Sequence, residues 1–569
     1  MESTYNRPIR ANDSCQSHLV GGSRLAPITP LLPEIAWKEF FYARDPPAAR
    51  YAIVLCDHPM TFPSILFSRS EDRPAQETRE APPFFADLNL DQLVDAIIAG
   101  KQSYDLAPFF YAPLTAIDAI RYRQEVMDEL GNEALMAAIH RFAEKMAQVH
   151  RHLTLVENLD HHYNQAGWFL EAVAGYGEAV RGLTEDMDRA QPQSRGLADF
   201  HRYLAAYAAS ETFTALMTET EAIRDQLAAV RYCVRTKEET VWVSKCEPGP
   251  DYSIDVLKTF DRFKQGAAKD YTVRYRPRTG MNHIEAQIID CVARFYPEIF
   301  ARLDHFYAEN RDFLDAGITA FDREIQFYVA YLTFLQSIKG AGLPFCLPEI
   351  TTEKAIASAG SFDLALANKL TMQNQPVITN DFYMQGPERI FVVTGPNQGG
   401  KTTFARTFGQ LHYLARLGCP VPGSQARLYL YDHLFTQFEK EEDIRTQRGK
   451  LADDLVRIHE ILAQATPNSL VIMNEVFSST TLQDAVFLSK EIIQKIEQRD
   501  LLCVFVTFMD ELASISEKTV SMVSTVDPAN PARRTYKIIR KPADGLAYAL
   551  SIAEKHGLTY GQIKERIQP

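Results

Sequence analysis

From Phe84 to about residue 340, apolar side chains recur at intervals of three and four. That spacing puts them on one face of an α-helix. The pattern begins at FFADLNLDQLVDAI (84–97) and continues through QEVMDELGNEALMAAIHRFAEKMAQVHRHL, then through 166–182 and 196–229. It breaks at 230–245, where VRYCVRTKEETVWVSK alternates around a polar KEET and predicts a hairpin. Helical spacing returns over 281–339. Beyond 345 the texture changes to short apolar runs between helices. RIFVVT is followed by a helix from Lys401, then SLVIMN, a helix over 484–498, LLCVFVT and RTYKIIR. Alternation of this kind predicts an α/β domain.

The ends of the pattern are less regular. Residues 1 to about 34 show no periodicity and read as a loose arm, and SRSEDRPAQETREAPP (68–83) reads as a linker. The expected division is therefore 1–85 arm and linker, 86–229 helical core, 230–280 a short basic insertion, 281–345 returning helices, and 346–569 the α/β domain. At 569 residues the chain is too long for one core. No apolar run approaches the roughly eighteen residues of a membrane helix. The N-terminus has no apolar stretch behind its charges and does not read as a secretory signal. Eight cysteines lie far apart with no C-x-x-C pair, which predicts free thiols and a cytoplasmic location.

A net charge of −13 argues against a surface that coats nucleic acid indiscriminately. The charge is uneven, however. Residues 230–280 carry eleven Lys or Arg against seven Asp or Glu, a local +4 on a remainder of −17. Arg274, Arg276 and Arg278 alternate in RYRPRTG and, if extended, share one face that could meet phosphates. An ordinary solvated hairpin explains the same charges equally well. Trp242 and Tyr232 are read as cross-strand partners holding that hairpin, with stacking on a base or sugar as the alternative. Asp160-His161-His162 has no further ligand at metal spacing. Phe169-Leu-Glu171 sits in a helical pattern and reads as packing, and EKEED (439–443) reads as a solvated loop.

The sharpest signal is Gly395-Pro396-Asn397-Gln398-Gly399-Gly400-Lys401-Thr402-Thr403. It fits G-x-x-x-x-G-K-[ST], follows a predicted strand and opens a predicted helix, the context the motif requires. Glycines let backbone N–H groups curl around phosphate oxygens at a helix N-terminus. Lys401 would reach the β- and γ-phosphates of ATP, and the Thr402 hydroxyl would be the protein's ligand to Mg²⁺. The second half of such a site is acidic and ends another buried strand. Here that position is Asn474, followed by Glu475. Asparagine keeps an oxygen acceptor without the charge, and Glu475 keeps a carboxylate that could polarise water. Binding of ATP is expected, with hydrolysis that could be slow.

TGPNQGGKTT, LGCPVPGSQARL (417–428), LFTQFEKEEDI (434–444), NEVFSSTTLQDA (474–485) and GLAYALSIAEKHGL (545–558) together resemble the ATPase domain of MutS proteins. The resemblance covers about 345–569 well and 86–345 only in layout. It implies a multidomain chain: a mostly α-helical lever and clamp body with a small β insertion, then an α/β P-loop ATPase domain of the ABC type. It also implies a homodimer with ATP between subunits, and DNA as ligand. By the same resemblance Asn397, Gly399, Gly400, Lys401 and Thr402 hold phosphate and Mg²⁺, and Glu475 activates water. Ser478, Ser479, Thr480 and Thr481, in the loop ending at Asp484, face the partner's nucleotide.

The chain departs from the family at three points. Asn474 stands for aspartate, Gly449 for a helix-opening serine, and Thr507-Phe508 for Thr-His. Too few residues precede the helical body for a mismatch-reading module and connector, and no nuclease domain follows the ATPase. The leading expectation is an ATP-driven homodimeric switch clamping branched or non-standard DNA in repair or recombination. A nucleotide-controlled protein scaffold, and an ATP-binding module without turnover, are the rivals.

Overall fold

The computed structural model describes residues 64–73, 77–237, 240–246, 281–439, 449–527, 529–543 and 558–566. The N-terminal arm, Arg274, Arg276 and Arg278, most of the EKEED run and nearly all of the 545–558 stretch lie outside the described residues. The chain divides into two units. One comprises 1–62, 134–191 and 201–319, the other 63–133, 192–200 and 320–569. Residues 86–133, which the periodicity joined to the helices that follow them, thus belong with the α/β region.

In the first unit, helices His162–Ala190, Glu211–Ala229 and Pro297–Glu309 pack through aromatic rings. Phe169 is 3% exposed and meets Phe306, Tyr307 and Phe313 edge-on, so Phe169-Leu-Glu171 is a packing element. His162 shares a 2.6 Å hydrogen bond with Asp304. The predicted hairpin forms from Tyr232–Lys237 and Thr240–Lys245. Its register opposes Trp242 to Arg235 and Tyr232 to Lys245, so the two aromatics are not cross-strand partners. Tyr296 holds the hairpin base instead, donating its hydroxyl to Arg231 O (2.7 Å) under the Lys245 ammonium.

The cysteine expectation also needs correction, because Cys233 and Cys246 form a disulfide. Cys233 lies opposite Ser244, which brings a residue thirteen positions away into reach. Linear spacing hides a pair that strand register creates. Cys291, Cys346, Cys419 and Cys503 are free. Cys233 and Cys246 thus lend no support to a reducing compartment. Among the described residues no helix is long and apolar enough to cross a membrane.

The second unit is built on a six-stranded sheet of β1 (Ile390–Thr394), β2 (Leu434–Phe438), β3 (Leu470–Asn474), β4 (Leu502–Val506), β5 (Thr519–Asp527) and β6 (Asn530–Arg540). The spatial order is β2-β3-β4-β1-β5-β6, parallel except for the β5–β6 pair. Every residue of β1, β3 and β4 is buried, which explains why they read as continuous apolar runs. A four-stranded sheet (Glu349–Thr351, Ile356–Ser361, Asn380–Met384, Gln425–Tyr429) lies in the same unit.

The helix Lys401–Arg416 is buried almost throughout. Several of its polar residues pair with neighbouring segments. Gln410 donates to Leu88 O and Asp363 Oδ1, Tyr413 to Phe110 O, and Arg416 to Leu114 O. Residues 85–114 thus cover the helix that opens at Lys401.

Candidate functional site

The turn between β1 and the 401–416 helix needs backbone that most residues avoid. Gly395 has φ +115° and Gly400, the helix N-cap, φ +93°, while Gln398 takes φ +58° without being glycine. Ser524 on β5 seats the turn by donating to Gly399 O at 2.6 Å. A Cβ at Gly395 would stand 2.8 Å from Ser524 O, and one at Gly399 2.3 Å from Ser524 Oγ. The glycines are thus set by a close approach of β5 as well as by the turn itself.

Lys401 is 3% exposed and folds back over the turn. Its ammonium donates to Gly395 O (3.1 Å), Pro396 O (3.3 Å) and Asn397 Oδ1 (3.3 Å), and lies 3.5 Å from Glu475 Oε1. Burial lowers its pKa, and the Glu475 carboxylate opposes that shift. Arg534 on β6 donates to Asn397 O at 3.3 Å. The Thr402 hydroxyl donates to Asn474 Oδ1 at 2.9 Å, joining the start of the helix to the end of β3. Glu475 follows with φ +53°, and its N–H donates to Val506 O. Its left-handed backbone in a non-glycine residue is strain of the kind that clusters at functional sites.

These groups line one end of a cavity of about 570 Å³, within the range of small-molecule sites. Gln398 to Thr403 and Glu475 make the polar end, and Leu366, Leu370, Pro376, Val377 and Ile378 make an apolar wall. Tyr536 closes one side with φ +58° and half its surface exposed. Asn380 supports that kink by donating to Tyr536 O and accepting from Ile538 N–H. The sequence offered no sign of Ser524, Tyr536 or the apolar wall. A tyrosine in an alternating strand and apolar residues after a short helix look like ordinary structure.

The remaining candidates are dispersed. Ser478 donates to Glu439, and Thr481 caps the helix Leu482–Gln498 through Asp484 N–H. Ser479 is exposed and Thr480 half-buried. Gly449 is the extended N-cap of Lys450–Gln464 without a side-chain cap. Thr507 is buried, while Phe508 has 48% of its surface exposed.

A glycine turn on a buried strand, a lysine that can leave carbonyls for phosphates, and a Thr402–Asn474 pair at the end of β3 fit a nucleotide with its divalent cation. Residues 391–565 match the model of MutS domain V. A DNA mismatch repair protein MutS of Orientia tsutsugamushi is 30% identical over 219 residues, 38% of this chain and 24% of that protein. MutS of Erythrobacter litoralis is 28% identical over 224 residues, 39% and 26% of the two chains. The endonuclease MutS2 of Lactococcus lactis is 30% identical over 218 residues, 37% and 27%. The match thus spans about a quarter of the length of these relatives. The stretch that carries the glycine turn and Glu475 is thus similar to MutS domain V.

Proposed function

We propose that the protein is a homodimeric, ATP-dependent DNA-binding switch in DNA repair or recombination. The observation that carries this reading is the cavity, polar at the glycine turn and apolar opposite it. Phosphates would lie along the N–H groups of Gly399 to Thr402, where the helix dipole favours negative charge. The base would rest on the wall of Leu366, Pro376 and Ile378 beside Tyr536. Mg²⁺, held by the Thr402 hydroxyl with Asn474 behind it, would supply charge neutralisation at the phosphates. Glu475 would accept a proton from the water that attacks the γ-phosphorus. Two ATPase domains closing on shared nucleotides, in the ABC manner, would give the differential contacts that a switch needs. The basic stretch around Arg274, Arg276 and Arg278 would then take branched or otherwise non-standard DNA by its phosphates.

The experiment is ATP turnover with and without a four-way DNA junction, together with retention on that DNA as salt is raised. Junction-stimulated turnover and salt-sensitive retention, weakened by Arg274→Ala with Arg276→Ala, are expected. Turnover indifferent to DNA would instead favour a nucleotide-controlled protein scaffold. Phe508 gives that reading its own support, because an exposed phenyl ring cannot hydrogen-bond a γ-phosphate.

Asn474 makes a separate prediction. Asn474→Asp places a full negative charge at the oxygen that now accepts from Thr402, and should lower the Mg²⁺ concentration for half-maximal turnover by about tenfold, roughly 1.4 kcal/mol. A Mg²⁺ titration of turnover reads this directly. An unchanged midpoint would remove Asn474 from the metal's surroundings.

A further inference from the structure

Ser64, Ile65, Leu66 and Phe67 form neither helix nor strand, yet Ile65 and Leu66 are wholly buried and Phe67 is 7% exposed. Their backbone groups are met by side chains from two helices, Ile117–Glu129 and Ala316–Lys339. Tyr122 donates to Ser64 O (2.7 Å), Tyr328 to Ile65 O (2.5 Å) and Arg123 Nε to Leu66 O (2.8 Å). Glu324 accepts from Ile65 N–H (2.9 Å) and from the Ser64 hydroxyl. That hydroxyl oxygen in turn accepts from Leu66 and Phe67 N–H. The Arg123 guanidinium is sandwiched between the rings of Phe67 and Phe327, 5.0 and 5.4 Å from their centroids. Side chains thus read three successive carbonyls and the serine, as a receptor reads an extended peptide.

The receptor side is charged and buried. Arg123 is 0% and Glu324 3% exposed; Glu324 spends its hydrogen bonds on the segment, and Arg123 gives it the Nε donor. An empty groove would leave both charges short of partners, so the site is built around an occupant. The groove also reaches the nucleotide helix. Arg123 Nη1 donates to Leu417 O (3.3 Å), the C-cap of the 401–416 helix. Next to it, a Cβ at Gly418 would stand 2.5 Å from Arg123 Cβ. Tyr331, on the same helix as Glu324, donates to Pro420 O. The N-terminal end of the 401–416 helix carries Lys401 and Thr402.

We propose that Ser64–Phe67 is a detachable internal ligand, that the groove of Tyr122, Arg123, Glu324 and Tyr328 is a recognition site for a serine followed by three apolar residues, and that release of the segment loosens the C-terminal anchor of the nucleotide helix and weakens nucleotide binding. The linkage rests on the nucleotide reading above; recognition of the segment does not. Occupancy of the groove and of the nucleotide site must then be coupled reciprocally.

The test uses the full chain, its Leu66→Asp variant, a fluorescent ATP analogue and a labelled peptide of residues 62–69. The variant should bind the peptide while the wild type, its groove filled, does not, and a scrambled peptide should bind neither. The variant should bind the ATP analogue about fivefold or more weakly, and saturating peptide should restore the affinity. A folded variant that ignores the peptide overturns the recognition site, and equal nucleotide affinity with and without peptide overturns the linkage. Should the variant fail to fold, hydrogen exchange in the wild type decides. The Leu66 and Phe67 amides should exchange faster than those of the Ile117–Glu129 helix and slow at least fivefold with saturating Mg-ATP, whereas protection equal to the helix marks a permanent core element and overturns the proposal. A wild type that binds no nucleotide would overturn the function proposed above and the linkage with it, while the peptide measurements still decide the groove.

Discussion

Lys401→Ala should lower nucleotide affinity by about a hundredfold or more, the cost expected when one aimed cationic donor is removed from a phosphate site. Lys401 is the buried cation at the turn, and it now rests on three carbonyl oxygens of that turn and on Glu475. Phosphate oxygens would replace those carbonyls, so the interaction gained on binding is ionic where the one given up is not. Without nucleotide, the variant should melt within a few degrees of the wild type, because the turn faces an open cavity and water can reach the vacated carbonyls. Nucleotide just sufficient to saturate the wild type should raise its melting temperature and raise that of the variant far less. Titration of a fluorescent ATP analogue measures the affinity itself. Unaltered binding would place the nucleotide away from this turn.

Glu475→Gln should separate binding from turnover. The substitution keeps the size of the side chain and removes its ability to take a proton, so turnover should fall at least about a hundredfold, within the range of general-base effects. Affinity for ATP should change by no more than about threefold, because glutamine still offers Lys401 an oxygen at the 3.5 Å position now held by the carboxylate. The comparison is steady-state phosphate release against equilibrium nucleotide binding for the two proteins. Undiminished turnover would show that Glu475 is not the base. A wild type with no turnover would leave a switch that works by binding alone, consistent with Asn474 and Phe508.

How much of this was legible beforehand depends on whether the determining chemistry is local. Gly395 to Thr403 could be read because a left-handed turn and a helix start constrain the same nine residues. β1, β3 and β4 could be read because burial on both faces removes alternation. Thr402 and Asn474, 72 positions apart, were each expected beside Mg²⁺, but the hydrogen bond between them was not foreseen. Ser524 and Tyr536 could not be read in this way. Each acts through a single approach to the glycine turn from a distant strand, and nothing in its neighbours marks that approach. Cys233 and Cys246 depend on hairpin register, which a list of cysteine positions does not contain. The helices over 85–133 were recognised as helices, but periodicity records that a face is apolar without naming what covers it.

The second unit is drawn from three separate stretches of chain, and this bears on the order of events during synthesis. Ile65 is fastened by Tyr328, 263 positions later, and Leu88 by Gln410, 322 positions later. At ribosomal rates of about 5–20 residues per second, the early segments wait on the order of a quarter of a minute to a minute for their partners. During that interval Ile65, Leu66, Phe85 and Leu88, all of which end in the core, lack the part of their native cover that comes from residues beyond 320. The first unit, whose final stretch ends at residue 319, can close before the second is complete. A nascent chain of this architecture therefore carries incompletely covered apolar segments until residues 320–569 have emerged. A fragment beginning at residue 346 would lack the segments that cover the 401–416 helix and should be poorly soluble by itself.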